Sequence, residues 1–242
     1  MRIDKILVIG AGGTGSMLIS PLARFLLSQR FKGMLIIADG DVYSEDNKTR
    51  QNFNSKFVNM NKACYQHDAL ISQLPEVEPF VDYIDSFLSK ENIDELVDEN
   101  TLIINCVDNL ACRKYCEDRL LQLANGAHLC LGNEKSSGQA QLSLRIDGEQ
   151  VTPSIYVRSP EFDSTNDDRA TMTCEQAATL ESGGQTIFAN FTSACLALNY
   201  VYMLFSRSPI YQGGKWVPCG SVFFDCNNQL FEREDIMEFM PC

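Results

Sequence analysis

A glycine-rich stretch near the start of the chain constrains the fold more than any other feature. It follows an apolar run at residues 3–9, typical of a buried strand, and precedes an apolar helical pattern at residues 16–27. Its glycines, in the spacing G-x-G-x-x-G, are Gly10, Gly12, Gly13 and Gly15. A strand, a glycine loop and a helix in this order hold a phosphate at the helix N-terminus. The sequence therefore predicts a nucleotide site, and the alternative is a glycine-rich turn without a ligand.

Strand and helix patterns alternate along the first half of the chain. Strands are predicted at residues 3–9, 34–38, 79–84, 102–107 and 128–131, and helices at residues 16–27, 61–74, 88–97 and 111–124. Short connections between such elements favour a parallel sheet with helices on both faces. A polar–apolar alternation at 139–146 and a hairpin pattern at 222–230 predict antiparallel strands, with a long apolar helix at 185–205 between them. We therefore predict an α/β, Rossmann-like fold whose parallel sheet in the first half is extended by antiparallel strands.

The charge of the chain is unevenly distributed. The net charge is −12, and residues 76–99 (net −8) and 225–238 (net −4) account for all of it. Such acidity argues against nucleic-acid and membrane-surface partners. The segment at residues 48–62 carries no acid and has four bases: Lys48, Arg50, Lys56 and Lys62. This basic segment suits a compact polyphosphate, although a solvated basic loop is the ordinary alternative.

The ten cysteines show no pattern of a metal site. There is no Cys-x-x-Cys pair, so no zinc is predicted. The N-terminus lacks a signal-peptide pattern, and no uninterrupted apolar run reaches the roughly 18 residues of a membrane span. We expect a cytoplasmic protein with free thiols and no membrane partner.

Carboxylates follow two of the predicted sheet strands. Asp39 ends the strand at 34–38, where it could accept hydrogen bonds from ribose hydroxyls. Asp108 follows the strand at 102–107, where it could hold Mg²⁺ together with phosphates. The alternative role for Asp108 is a helix N-cap, which Asn109 could fill instead. A dinucleotide oxidoreductase would share the glycine loop, so NAD remains an alternative ligand.

The motifs together resemble the ThiF/MoeB/HesA family of adenylating enzymes, relatives of ubiquitin-activating enzymes. The family pattern is G-x-G-x-x-G, D-x-D-x(5)-N-x-x-R-Q, a Lys-Ala helix start and D-N-x-x-x-R, matched here over about residues 3–140. Its positions after the glycine loop are Asp39, Asp41, Asn47, Arg50, Gln51, Lys62, Ala63, Asp108, Asn109 and Arg113. In length and pattern, the chain is most similar to the ThiF-type proteins of the PRTRC systems of plasmids and mobile elements. Residues 131–133 (LGN) have a counterpart in that group.

The resemblance implies a single ThiF-like adenylation domain over residues 1–242. Its nucleotide-binding half would cover about 1–135, and a partner-binding and crossover part about 136–242. The implied activity is ATP- and Mg²⁺-dependent adenylation of the C-terminal carboxylate of a ubiquitin-like or sulfur-carrier-like protein, by a homodimer. The implied nucleotide-binding residues are Gly10, Gly12, Gly13, Gly15, Asp39, Asp41, Asn47, Arg50, Gln51, Lys62, Asp108 and Asn109. The implied catalytic residues are Arg50, Lys62, Asp108 and Cys174.

The resemblance also assigns individual roles. Asp39 would hold the ribose, and Asp108 would hold Mg²⁺. Asn47, Arg50 and Lys62 would contact phosphates. The two cations of that set would also stabilise charge in the transition state, supported by Gln51.

Cys174 lies in a Thr-Cys-Glu-Gln-Ala segment similar to the S-C-x-x-A segment of the family. In some members a cysteine here accepts the activated acyl group as a thioester or acyl disulfide. The alternative is one more buried thiol among ten.

The chain departs from well-studied members at its start. Those members begin with helices that carry an arginine for the partner subunit, whereas this sequence begins at the first strand. Arg158 or Arg169 could supply the missing cation. The departure keeps a second hypothesis open, a non-catalytic nucleotide-binding adaptor in a plasmid or mobile-element system. An NAD-dependent oxidoreductase is the third.

Overall fold

The computed structural model describes residues 2–160, 186–206, 211–212, 215–216 and 220–234. The elements up to the fifth strand are β1 (Lys5–Ile9), α1 (Gly13–Ser28), β2 (Met34–Ala38), α2 (Lys62–Gln73), β3 (Val81–Ile84), α3 (Ile93–Leu96), β4 (Thr101–Asn105), α4 (Leu110–Gln122) and β5 (Gly126–Asn133). The later elements are β6 (Ser137–Ile146), β7 (Glu149–Thr152), α5 (Ile155–Arg158), α6 (Ile187–Ser206), β8 (Tyr211–Gln212), β9 (Lys215–Trp216), β10 (Ser221–Asp225) and β11 (Leu230–Glu234).

Nine of these strands pair into one sheet. Its order is β11-β10-β6-β5-β4-β1-β2-β3, with β7 also paired to β6, while β8 and β9 pair with each other. Strands β1 to β5 are parallel, and β6, β7, β10 and β11 join antiparallel. Ile9 lies beside Ala38 and Asn105, so β1, β2 and β4 end at the same edge. The predicted α/β, Rossmann-like architecture is confirmed.

Alternate residues of β1 enter two separate cores, one on each face of the sheet. Ile6 and Val8 pack with α1 and α6, whereas Leu7 and Ile9 pack with α4. This alternation follows from the period-two geometry of a strand, and it requires apolar residues at every position. The continuous apolar run at 3–9 therefore reports a strand that is covered on both sides.

Several predicted boundaries differ from the structure. The helix predicted at 88–97 forms only at Ile93–Leu96, because the Asn92 side chain bonds to Ser89 N and Phe87 O and holds the preceding residues in a turn. The strand predicted from residue 79 begins at Val81, after a 3-10 helix at Pro75–Phe80. Helix α1 begins at Gly13, so the last glycines of the loop already belong to the helix.

Helix α6 packs beside α1 in the same direction. Asn190, in its first turn, meets Gly13, while Phe205, near its end, packs edge-on against Phe25 and Phe31. Among the described residues, α6 is a helix whose length and apolar composition would allow it to cross a membrane. Its contacts with α1, β5 and β6 make it a core helix of this fold.

Candidate nucleotide-binding site

The glycine loop depends on close backbone approach at two positions. Gly10 has a φ of +90°, a backbone conformation that residues with side chains rarely adopt, and a Cβ there would lie 2.6 Å from Val107 Cγ1. A Cβ at Gly15 would lie 1.8 Å from the carbonyl oxygen of Gly10. Helix α1 can therefore start directly against β1, which directs its free N–H groups toward the edge where the strands end.

Asp39 lies against this loop at the end of β2. One carboxylate oxygen accepts a hydrogen bond from Ala11 N at 2.7 Å, and the other accepts from Asp41 N at 2.9 Å. Burial raises the pKa of the Asp39 carboxyl, and the nearby Lys62 ammonium opposes that rise. The Asp39 carboxylate thus lies beside the glycine loop with both oxygens bonded to backbone N–H groups.

Lys62 is the first residue of α2, and its side chain is only 3% exposed. Its ammonium group forms an ion pair with Asp41 at 2.5 Å. Asn61 caps the helix by accepting from Cys64 N, and its amide donates to the carbonyl oxygen of Asp39 at 2.7 Å. These bonds tie the start of α2 to the end of β2, which brings Lys62 to the same edge as Asp39.

Asn47, Arg50 and Gln51 form one turn between β2 and α2. Asn47 is buried, its side chain accepts from Ser44 N at 3.0 Å, and its carbonyl oxygen accepts from the backbone N–H of both Arg50 and Gln51. Gln51 is buried against Gly12, with its amide nitrogen 3.7 Å from where a Cβ would be. Asn47 thus builds the turn that carries Arg50.

The residues after β4 separate into a cap and an exposed carboxylate. Asn109 caps α4 by accepting from Cys112 N at 3.0 Å, so the capping alternative for Asp108 does not apply. Asp108 is exposed. Arg113 is buried and donates to the carbonyl oxygens of Val107 and Leu131, which fixes the loop around Asp108 to β5.

Most of the predicted site residues come from the strand ends and adjoining turns at one edge of the sheet. Cys174 and Arg169 lie outside the described residues. Arg158 on α5 donates to Ser221 of β10, three strands along the sheet from β4. In the described part of the chain, no group of three or more His, Cys, Asp or Glu side chains could hold a metal ion.

Two residues at the site were not predicted from the sequence. Tyr43 is fully buried, and its hydroxyl donates to the carbonyl oxygen of Ala11 at 3.2 Å. Asn190 on α6 is also fully buried, and it contacts the loop at Gly13. A polar residue on the inward face of an apolar helix is the signal that could have identified Asn190.

Comparison with known proteins bears directly on this arrangement. The family model described as "ThiF family" matches residues 1–204. The chain belongs to the ThiF family. This ThiF-family chain is 31% identical over 143 residues to the SUMO-activating enzyme subunit uba-2 of Caenorhabditis elegans, covering 59% of the chain and 23% of that protein. It is 32% identical over 125 residues to the adenylyltransferase and sulfurtransferase uba4 of Aspergillus niger, covering 51% and 24%.

Solved structures share the fold of this ThiF-family chain. Escherichia coli MccB with MccA-N7isoASN has a TM-score of 0.71 at 16% identity, over 96% of the chain and 64% of that structure. MccB with ATP has a TM-score of 0.69 and PaaA one of 0.67, both at 16% identity and over 96% of the chain, and over 63% and 64% of those structures. The chain thus spans about a quarter of these two sequence relatives and under two thirds of these structures.

Proposed function

We propose that the chain binds Mg-ATP and adenylates the C-terminal carboxylate of a ubiquitin-like or sulfur-carrier-like protein. The proposal rests on one observation, that three features lie together at one edge of the sheet. They are the glycine loop, the Asp39 carboxylate bonded to it, and the Lys62 ammonium beside that carboxylate. A loop alone suits any nucleotide, whereas added cations suit a triphosphate whose pyrophosphate must leave.

In the proposed reaction, a carboxylate oxygen of the partner attacks the α-phosphorus of ATP. A new carboxyl–phosphate bond forms, the bond to the bridging oxygen breaks, and pyrophosphate leaves with the electron pair. Asp39 holds the ribose, while the loop amides bind phosphate. Lys62 and Arg50 stabilise the negative charge that develops on the phosphates, and Lys62 exchanges Asp41 for phosphate.

The proposed magnesium position is at Asp108. Mg²⁺ is commonly bound by one or two carboxylates together with phosphate oxygens, so a single exposed carboxylate at the phosphate edge fits that requirement. When bound, the ion would neutralise part of the charge on the phosphate oxygens. Asn109 leaves this role to Asp108, because its own side chain caps α4.

The names of relatives support the class of reaction. One relative is named an adenylyltransferase and sulfurtransferase, another a SUMO-activating enzyme subunit, and the MccB structures include an ATP complex. Transfer of the acyl group to Cys174, a homodimer, membership of a PRTRC system and a cytoplasmic location belong to the same proposal.

Pyrophosphate exchange tests the proposal. The purified chain is incubated with ATP, Mg²⁺, labelled pyrophosphate and candidate partner proteins, which are best found by co-purification. We expect label to enter ATP only when the partner has a free C-terminal carboxylate, and a partner with an amidated C-terminus is the control. Binding of NAD without ATP would instead support an oxidoreductase.

One observation favours a second candidate function, the nucleotide-binding adaptor. The Lys62 ammonium is already neutralised by Asp41, and that pair is compatible with a pocket that binds nucleotide without turnover. An adaptor would bind ATP with normal affinity and catalyse no exchange with any partner. Mutation of Asp41 to Asn should free Lys62 and raise ATP affinity in both candidates, so pyrophosphate exchange, which an adaptor lacks with or without this mutation, is the result that distinguishes them.

A further inference from the structure

Asn190 makes contacts with three separate parts of the chain. Its amide nitrogen donates to the carbonyl oxygen of Arg50 at 3.1 Å, and its amide oxygen accepts from the Asn133 amide at 2.5 Å. A Cβ at Gly13 would lie 2.4 to 2.8 Å from the amide atoms of Asn190. Since Asn190 is 0% exposed, this side chain is a buried junction between the glycine loop, the turn before α2 and the end of β5.

The Arg50 side chain depends on its backbone for its position. Its guanidinium makes no hydrogen bond or ion pair with the part of the chain that the structure describes. The backbone is fixed by the bond from Asn190 and by the Arg50 N–H bond to Asn47 at 3.1 Å. The free cation is therefore placed by a turn, and α6 holds that turn.

Only a carboxamide satisfies both sides of this junction. The nitrogen faces a carbonyl, which needs a donor, and the oxygen faces the Asn133 amide group, which needs an acceptor. Asp at this position would place a charged acceptor against the Arg50 carbonyl. Ala would leave the Arg50 carbonyl and the Asn133 amide without this partner.

We infer that Asn190 is a positioning residue that fixes the distance between Arg50 and the glycine loop, and so sets the affinity for the β- and γ-phosphates of the nucleotide. The inference rests on the proposed function for the identity of the ligand. It extends the proposed site to α6, and it assigns Asn133 of the LGN segment the role of holding the Asn190 side chain in place.

Hydrogen exchange of the unliganded full chain tests the positioning role without any nucleotide. The amides of Arg50 and Gln51 both bond to the carbonyl of Asn47. Asn190→Ala should accelerate exchange in peptides covering residues 47–53, while peptides within α2 stay unchanged. Asn133→Ala is a second route to the same effect, should Asn190→Ala fail to fold. Unchanged exchange in a folded variant would overturn the inference, whether or not the chain is an enzyme.

Calorimetric binding of Mg-ATP and AMP gives the functional readout. Asn190→Ala should weaken Mg-ATP binding roughly five- to tenfold, the equivalent of one buried hydrogen bond, and should leave AMP binding within about twofold. The double variant Asn190→Ala/Arg50→Ala should bind no more weakly than Arg50→Ala alone. Asn199→Ala is the control, because its side-chain amide is exposed and donates within α6 to the carbonyl oxygen of Cys195.

Two binding results would contradict the inference. Equal weakening of ATP and AMP would mean that Asn190 is only structural, and additive effects with Arg50→Ala would mean that the two residues act independently. If the wild-type chain binds neither nucleotide, then the proposed function fails, and the exchange experiment still decides the positioning role.

Discussion

The surroundings of Asp39 disfavour the charged form of its carboxyl group. Both of its carboxylate oxygens accept backbone hydrogen bonds, yet burial raises its pKa above the ordinary value. The folded chain therefore binds the Asp39 proton more tightly than the unfolded chain does. Stability from this group is greatest at low pH and declines as the pH rises through the folded-state pKa.

Mutation of Asp39 to Asn should remove this pH dependence. Because Asn does not titrate, the free energy of unfolding of the wild type minus that of the variant should fall as the pH rises from the ordinary carboxyl pKa through the raised folded-state pKa of Asp39. Urea unfolding at several pH values measures it. Asp82→Asn, which removes an exposed carboxylate on β3, is the control for the loss of one negative charge. A difference that rises with pH would mean that hydrogen bonds outweigh burial at Asp39.

Mutation of Asp108 to Ala tests the proposed metal role. Loss of the carboxylate should weaken binding of Mg-ATP while leaving metal-free AMP binding unchanged, because only the former needs the ion. Calorimetry with and without Mg²⁺ measures the difference, with Asp82→Ala as the matched exposed control. Equal affinity for Mg-ATP in variant and wild type would remove Asp108 from the metal site.

Gly12 and Gly13 are neighbours in the chain, but the space around them predicts that an added methyl group would be tolerated much better at Gly12 than at Gly13. A Cβ at Gly13 would lie within 2.8 Å of three Asn190 atoms, whereas the nearest atom to one at Gly12 is 3.7 Å away. Gly13→Ala should therefore lower the free energy of unfolding by roughly 1–3 kcal/mol, and Gly12→Ala by less. Urea unfolding measures both.

A double variant checks that the Gly13 effect is a clash. Gly13→Ala/Asn190→Ala should be less destabilised than the sum of its single variants, because the second change removes the atoms that the methyl group meets. If the losses in unfolding free energy of the two single variants were additive, then the methyl group would disturb the glycine loop itself rather than clash with Asn190.

Four elements are joined by one buried carboxylate far from the loop. Glu117 of α4 bonds to His128 of β5 at 2.8 Å, to Ser143 of β6 at 2.7 Å, and to Ser154 before α5 at 2.6 Å. Burial raises the pKa of the Glu117 carboxyl, but the hydrogen bond and charge of His128, with both serines, bring it below its ordinary value. The hydrogen bonds of Glu117 hold α4 and α5 against the sheet, at the place where its parallel and antiparallel parts meet.

Mutation of Glu117 to Ala should destabilise the chain by about 3–5 kcal/mol, because it leaves the buried His128 and the hydroxyls of Ser143 and Ser154 without this partner. Urea unfolding at pH 7 measures the loss, with the exposed Glu149→Ala as control. Since the folded pKa is lowered, the contribution should be present above the ordinary pKa and disappear as the pH falls through the folded value. A loss that grows toward low pH would contradict this assignment.

The elements that could be predicted from the sequence carry their information locally. Apolar runs and the glycine spacing predicted β1, the loop and α1, because strand burial and phosphate binding each impose a fixed local pattern. The helix at 88–97 was overpredicted, since a side-chain turn at Asn92 outweighed its apolar periodicity. Asn190 and the Glu117 network were missed because their partners lie far away in sequence. The site role of Cys174 stays a prediction.

The predicted nucleotide-binding half and the later part of the chain share one apolar core through α6. This helix follows the predicted nucleotide-binding half in sequence, yet Ala194, Ala197 and Val201 pack in the same core as α1. Without α6, the first part would expose to water the apolar surface of α1 and β5 that packs against this helix. The single domain expected from the sequence thus has a direct experimental consequence.

A fragment of residues 1–135 should not fold on its own. Without α6 and β6, it should show no cooperative urea transition, and it should bind a hydrophobic dye that the full chain excludes. Circular dichroism and dye fluorescence on both proteins measure this. A fragment with a sharp transition and intact ATP binding would mean that two separable domains exist.

The contact between Gly13 and Asn190 also has a consequence for the order of events during synthesis. The two residues are 190 − 13 = 177 positions apart. A bacterial or eukaryotic ribosome that adds about 5–20 residues per second therefore needs roughly 10 to 35 seconds between them. During that interval the glycine loop has been synthesised, but Asn190 has not. The nascent chain should therefore acquire the proposed nucleotide affinity late, when α6 has left the ribosome.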